Sequence, residues 1–164
     1  MGFANDELFM KAVPIAIYAM CRKAGIDWEL MGCNPEKLGD CDYALDIPVA
    51  AGESHRIRFT LSGDQIAYWR LRSSSVSIKG FSDPIKLVLF NMLFKWLNND
   101  ENVFAHYQLE GGVEDTATSI CATCHFPAPA ETLEMEDLFQ KAIAVAALGQ
   151  RLETSIAKYR TLMA

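Results

Sequence analysis

The chain has 164 residues, a length suited to a single domain over 1–164, with 15 basic against 21 acidic side chains and a net charge of −6. That acidic balance argues against nucleic-acid and anionic-membrane partners, which call for a basic footprint. Apolar residues make up 51% and charged ones 22%, a folded rather than disordered composition, and the longest apolar run, Ala12 to Cys21, is too short to span a bilayer. Seven Met, nine Phe and three Trp are generous for a chain of this size and predict a surface that meets another chain.

The N-terminus, Met1 to Glu7, carries acid where a secretory leader carries positive charge, so no leader is expected. Five cysteines, an odd number, suggest reduced thiols and a cytoplasmic setting. Asn5 can cap a first helix through Leu8, Phe9, Val13 and Ile17 that Gly25 stops. Trp28 to Met31 and Tyr43 to Val49 read as short strands. His55 to Ser62 alternates, Gly63-Asp64 makes a two-residue turn, and Gln65 to Arg72 returns, with Val76 to Lys79 as a further short strand. Ser82-Asp83-Pro84 starts a helix over Ile85 to Leu97, with Asp83 as its cap. A second hairpin, Asn102 to Glu110 and Val113 to Phe126, turns at Gly111-Gly112. The last segment, Thr132 to Met163, is a long helix with Glu134, Glu136 and Asp137 in its first turn. The predicted fold class is α+β, in the order α-βββ-α-ββ-α, with helices packed on an antiparallel sheet.

One motif invites a chemical reading. Cys121-Ala122-Thr123-Cys124-His125 matches the C-x-x-C-H pattern of c-type haem attachment. Its flanks alternate like a strand, and residues three apart on a strand point to opposite faces. A two-residue turn at Gly111-Gly112 pairs Val103 with Ile120 and Tyr107 with Thr116. Cys124 then faces the core while Cys121 and His125 look outward, so the two thiols cannot hold one haem or one zinc. His55 and His106 have no nucleophile or carboxylate pair at a meaningful spacing and read as solvated or satisfied histidines. Phosphate-binding loops, dinucleotide fingerprints and nucleophile elbows do not occur in the sequence. No catalytic residue, metal ligand or cofactor is therefore assigned.

Two surfaces exceed what a core needs. Apolar residues cover roughly 220° of the Ile85–Leu97 helix. One flank carries Ile85, Leu89, Met92 and Trp96, and the other carries Leu87, Phe90 and Phe94, the expected homodimer interface. The Gly63-Asp64 turn pairs Arg58 with Trp69 and Arg56 with Leu71, which sets Trp69 and Leu71 outward beside two guanidinium groups. Arg56, Arg58, Trp69 and Leu71 then form the expected partner-binding surface, a Trp-and-Arg composition typical of binding hot spots, with a strand edge available to an extended peptide. In the last helix Leu138, Ala142, Val145, Gly149, Leu152, Ile156, Tyr159 and Met163 follow a 4-3 spacing whose small members permit close packing on a sheet.

This layout resembles the type III secretion chaperone-like superfamily, which includes the YbjN family of bacterial proteins. The points of contact are the N-terminal helix around Leu8 to Met20, the helix started by Ser82-Asp83-Pro84, the hairpin ending near Phe126 and the helix from Thr132. The resemblance implies a small cytoplasmic α+β homodimer without enzymatic activity, packing partly through its central helix and chaperone-like or regulatory in role. The leading expectation is a homodimeric module that binds a polypeptide. The alternatives are a redox or haem protein using Cys121, Cys124 and His125, and a small-ligand enzyme whose site the sequence does not connect.

Overall fold

The computed structural model describes residues 35–50, 53–62, 68–99, 105–112, 116–127 and 135–163, with isolated positions 15, 19, 22, 23 and 25. Within them the alternating segments form one antiparallel sheet. Its strands are β1 (Glu36–Gly39), β2 (Asp42–Ala50), β3 (Glu53–Ser62), β4 (Tyr68–Ser73), β5 (Val76–Ser77), β6 (His106–Glu110) and β7 (Ser119–Pro127). Helix α1 (Asp83–Asn99) separates β5 from β6, and α2 (Met135–Met163) follows β7. The strands run β1-β2-β3-β4-β7, with β4 and the short β5 sharing one edge of β7 and β6 on the other. This is an α+β architecture. At the N-terminal positions Ile15, Ala19, Arg22 and Lys23 are helical, and Gly25 takes φ 73° with its N–H donating to the Arg22 carbonyl at 3.2 Å. That is the glycine stop its position predicts. The Asn5 cap and the Trp28 to Met31 strand lie outside the described residues. No described helix is long and apolar enough to cross a membrane.

The two hairpins differ from their expected registers, with opposite consequences. Between β3 and β4, Leu61 pairs with Trp69 and Ser62 with Tyr68, so residues 63–67 make the connection instead of Gly63-Asp64. The register moves by three, an odd number, and every β4 side chain changes face. Trp69 and Leu71 are fully buried on the core side, and Trp69 meets Phe59 edge-on with ring centroids 6.5 Å apart. Lengthening the loop from two residues to five costs about 0.8 kcal/mol in closure entropy. Burying Trp69 and Leu71 returns roughly 1.5–3 kcal/mol each, so hydrophobic burial decides the register. Between β6 and β7, Leu109 pairs with Ile120 and Tyr107 with Ala122, leaving residues 111–118 as the loop. That displacement is six, an even number, so the faces stand as the alternation predicts. Gly111 sits at φ 81° beside the Thr118 side chain, where a Cβ has no room. β1 has no counterpart among the predicted strands; Asp40 and Cys41 turn it into β2, with Cys41 at φ 55°.

Helix α2 lies across the inner face through Leu138, Ala142, Val145, Leu152 and Ile156, all buried. Its small residues bring it close to the sheet at one point. A Cβ on Gly149 would lie 2.7 Å from His55 Nε2 and 2.7 Å from Ser73 Cβ. His55 is held there because its Nε2 accepts the Ser74 N–H at 3.3 Å, while its Nδ1 stands 3.6 Å from Glu153 Oε1. Ser73 Oγ in turn accepts the Ala122 N–H at 2.8 Å, where the β4–β7 pairing ends. Tyr107 adds a bond from its hydroxyl to the Leu148 carbonyl at 3.3 Å, and burial pushes that phenol up to about 12. Helix α1 begins with the Ser82 carbonyl accepting the Lys86 N–H at 3.0 Å, so Ser82 takes the cap position expected of Asp83. Its Leu89, Phe90 and Leu93 pack with Ile78, Phe81, Ile120, Leu152 and Ile156.

Gly149→Ala separates two opposed effects. Alanine is the better helix former by about 1 kcal/mol. The added methyl, however, meets a hydrogen-bonded imidazole and a Cβ next to the backbone, and such overpacking costs roughly 1–3 kcal/mol. The expected outcome is a net loss of about 1 kcal/mol in urea unfolding, the reverse of the propensity effect.

Candidate functional site

The strand residues that do not face α2 form a polar outer face. From β2 it takes Asp42, Ala44 and Asp46, and from β3 it takes Arg56, Arg58 and Thr60. β4 contributes Arg70 and Arg72, β7 contributes Cys121, Thr123 and His125, and β6 contributes His106, Gln108 and Glu110. Because opposite residues on neighbouring strands share a face, Arg58 stands between Ala44 and Arg72, and Arg70 between Thr60 and His125.

Carboxylates answer most of this positive charge. Arg58 grips Asp42 with two bonds, Nε to Oδ1 at 2.9 Å and Nη2 to Oδ2 at 2.6 Å, and Thr60 Oγ1 adds a third at 3.3 Å. The Arg58 bonds hold the Asp42 carboxyl below its ordinary value of 3.8. Arg56 reaches Asp46 at 3.0 Å and Glu36 at 2.5 Å. Arg72 and Ser75 each donate to Glu110 at 2.5 Å. Burial alone would raise the Glu110 carboxyl; those two donors more than offset it and set it below 4.5. Leu38, Ala44, Arg56, Arg58, Arg72 and Ser73 to Ser75 line a shallow depression of about 320 Å³. Its guanidinium groups are already engaged by carboxylates.

The expected site residues are distributed across both faces. Arg56 and Arg58 lie on the outer face, as expected. Trp69 and Leu71 do not: both are fully buried on the opposite face, so a tryptophan surface beside these arginines does not form. On α1, Leu87 is 59% exposed, whereas Phe90 belongs to the core cluster instead of an outward flank; the Phe94 side chain lies outside the described residues. Cys124 faces the core and Cys121 the outer face, so the C-x-x-C-H segment is a strand with its thiols on opposite sides. Cys121 is nevertheless fully buried, with its Sγ 3.8 Å from Arg72 Nη2, and burial pushes its thiol up although Arg72 pulls the other way. Among the described residues no group of three or more His, Cys, Asp or Glu side chains is placed to hold a metal ion. The residues that sequence reasoning misplaced are Trp69 and Leu71. A register that turns Trp69 and Leu71 outward turns two guanidinium groups into the core, and that cost was the available signal.

No family model matches the chain, and no curated protein or solved structure shows significant similarity to it.

Two measurements follow from this geometry. A carboxyl depressed in the folded state stabilises fully above its unfolded pKa and loses that contribution as pH falls through the folded one. Asp42 and Glu110 are both depressed, so unfolding free energy should fall as pH drops below about 4, and Asp42→Asn should make that decline shallower while lowering stability at neutral pH. In native protein, iodoacetamide should label the partly exposed Cys41 well before the buried Cys121 and Cys124, which should react only on unfolding, as peptide mapping by mass spectrometry would show.

Proposed function

We propose that this chain is a non-enzymatic protein-binding module, chaperone-like or a regulatory adaptor, that acts as a cytoplasmic homodimer and holds a polypeptide partner. The observation that carries the reading is the surface of α1. Leu87 and Val88 are 59% and 53% exposed on a helix whose Leu89, Phe90 and Leu93 are buried. Adjacent large apolar side chains left in water on a core-packed helix mark an association surface, and a second copy of α1 across a two-fold axis would cover them. For the polypeptide, β6 provides the matching feature: among the described residues it pairs on one side only, with β7, so its other edge can accept an extended segment by strand addition. The element order after β1, with a helix between the sheet's first strands and its last hairpin and a long helix at the end, supports kinship with the type III secretion chaperone-like group.

Light scattering at high micromolar concentration should give twice the 18.3 kDa chain mass for the native protein and the single mass for Leu87→Glu. A native monomer would remove the dimer from this reading. Crosslinks from a bound polypeptide should fall on β6, and crosslinks confined to α2 would contradict strand addition.

A further inference from the structure

Arg70 differs from the other outer-face arginines. Arg56, Arg58 and Arg72 each hold a carboxylate. Arg70 has instead the neutral amide oxygen of Gln108, 3.3 Å from its Nη2, and its Nε is buried with no hydrogen-bond partner among the described residues. A guanidinium nitrogen removed from water without an acceptor is an unusual expense in a folded protein. Its neighbours add positive potential. His125 lies directly opposite Arg70 across the β4–β7 pairing, and the His106 ring on β6 stands 6.0 Å from that of His125, inclined by 32°. Both imidazoles are exposed. The outer-face carboxylates nearest in the sheet order are committed, Asp42 to Arg58 and Thr60, and Glu110 to Arg72 and Ser75. Among the described residues, the titratable and charged side chains that face His125 are Arg70 from β4 and His106 from β6. After burial, these two are what hold its pKa below 6.5, the signature of a corner short of negative charge.

We propose that Arg70, His106 and His125 form a binding site for an oxyanion, the phosphate or carboxylate group of a ligand, on the outer face where β4, β7 and β6 adjoin. Guanidinium offers a planar fork of donors, and each imidazole adds an N–H, so three strands supply donors to one group of acceptor oxygens. The site stands independently of the dimer and of strand addition at β6.

The three histidines of the chain make the test direct, because His55 is buried under α2 and serves as an internal reference. Imidazole resonances are followed by NMR while inorganic phosphate or, separately, acetate is added at ionic strength held constant with chloride. The expected result is a saturable shift of His106 and His125 with His55 unmoved, together with a rise in the His125 titration midpoint, since an anion favours the imidazolium. Saturation with phosphate and not acetate assigns a phosphate-bearing ligand, and the reverse assigns a carboxylate. Arg70→Gln should weaken binding by about tenfold or more, whereas Arg58→Gln should leave it within about twofold. Should Arg70→Gln fail to fold, His125→Asn at an exposed position should still reduce the anion-induced shift of His106 severalfold. Absence of saturation with both anions, or unchanged binding in the folded Arg70 and His125 variants, would overturn the site.

Discussion

Trp69 and Leu71 are fully buried against β3, and because alternate strand residues face opposite ways, their burial sends Arg70 and Arg72 to the other side of the sheet. Both faces depend on that constraint. On the inner side it lets Phe59, Trp69 and Leu71 form a continuous apolar floor for α2. On the outer side it aligns Arg72 with Arg58 and Thr123, and Arg70 with Thr60 and His125. Any register displaced by one residue would bury two guanidinium groups and expose a tryptophan, so the pairing is strongly specified.

The outer face shows how little of this charge serves simple stability. Arg58 is about half exposed, and exposed ion pairs contribute at most about 1 kcal/mol each. Their physical effect is to gather negative charge: Asp42, Asp46, Glu36 and Glu110 all pair with Arg56, Arg58 and Arg72, and none of the four pairs with Arg70. Charge distribution, more than charge count, therefore distinguishes the Arg70 corner from the rest of the lattice.

The inner face is held by a small set of close contacts. Gly149 lets α2 approach His55 and Ser73, and those two side chains serve as acceptors for backbone N–H groups at Ser74 and Ala122. A buried histidine and a buried serine in a hydrophobic layer are thus explained by backbone donors left where β4 ends its pairing with β7. The 4-3 spacing of α2 marked its buried face correctly, while the reason for glycine at 149 depended on residues nearly a hundred positions away.

Local pattern determined which segments are strands and helices for Tyr43 to Val49, both hairpin regions, the Pro84-started helix and the long last helix. It also determined which side of β6 and β7 is apolar, and hence that Cys121 and Cys124 lie on opposite faces, because alternation survives an even change of register. The β3–β4 pairing was not legible, because Gly63-Asp64 is an attractive turn and local chemistry cannot weigh it against burial of Trp69. That choice is made by α2, which covers the inner face and makes burial worth more than the shorter loop. The sequence by itself therefore determined the elements and their amphipathic faces. Only the tertiary structure decided which outer-face arginines meet carboxylates and that Arg70, among the described residues, meets none, since partners on β1, β2, β6 and β7 are brought together by pairing across the chain.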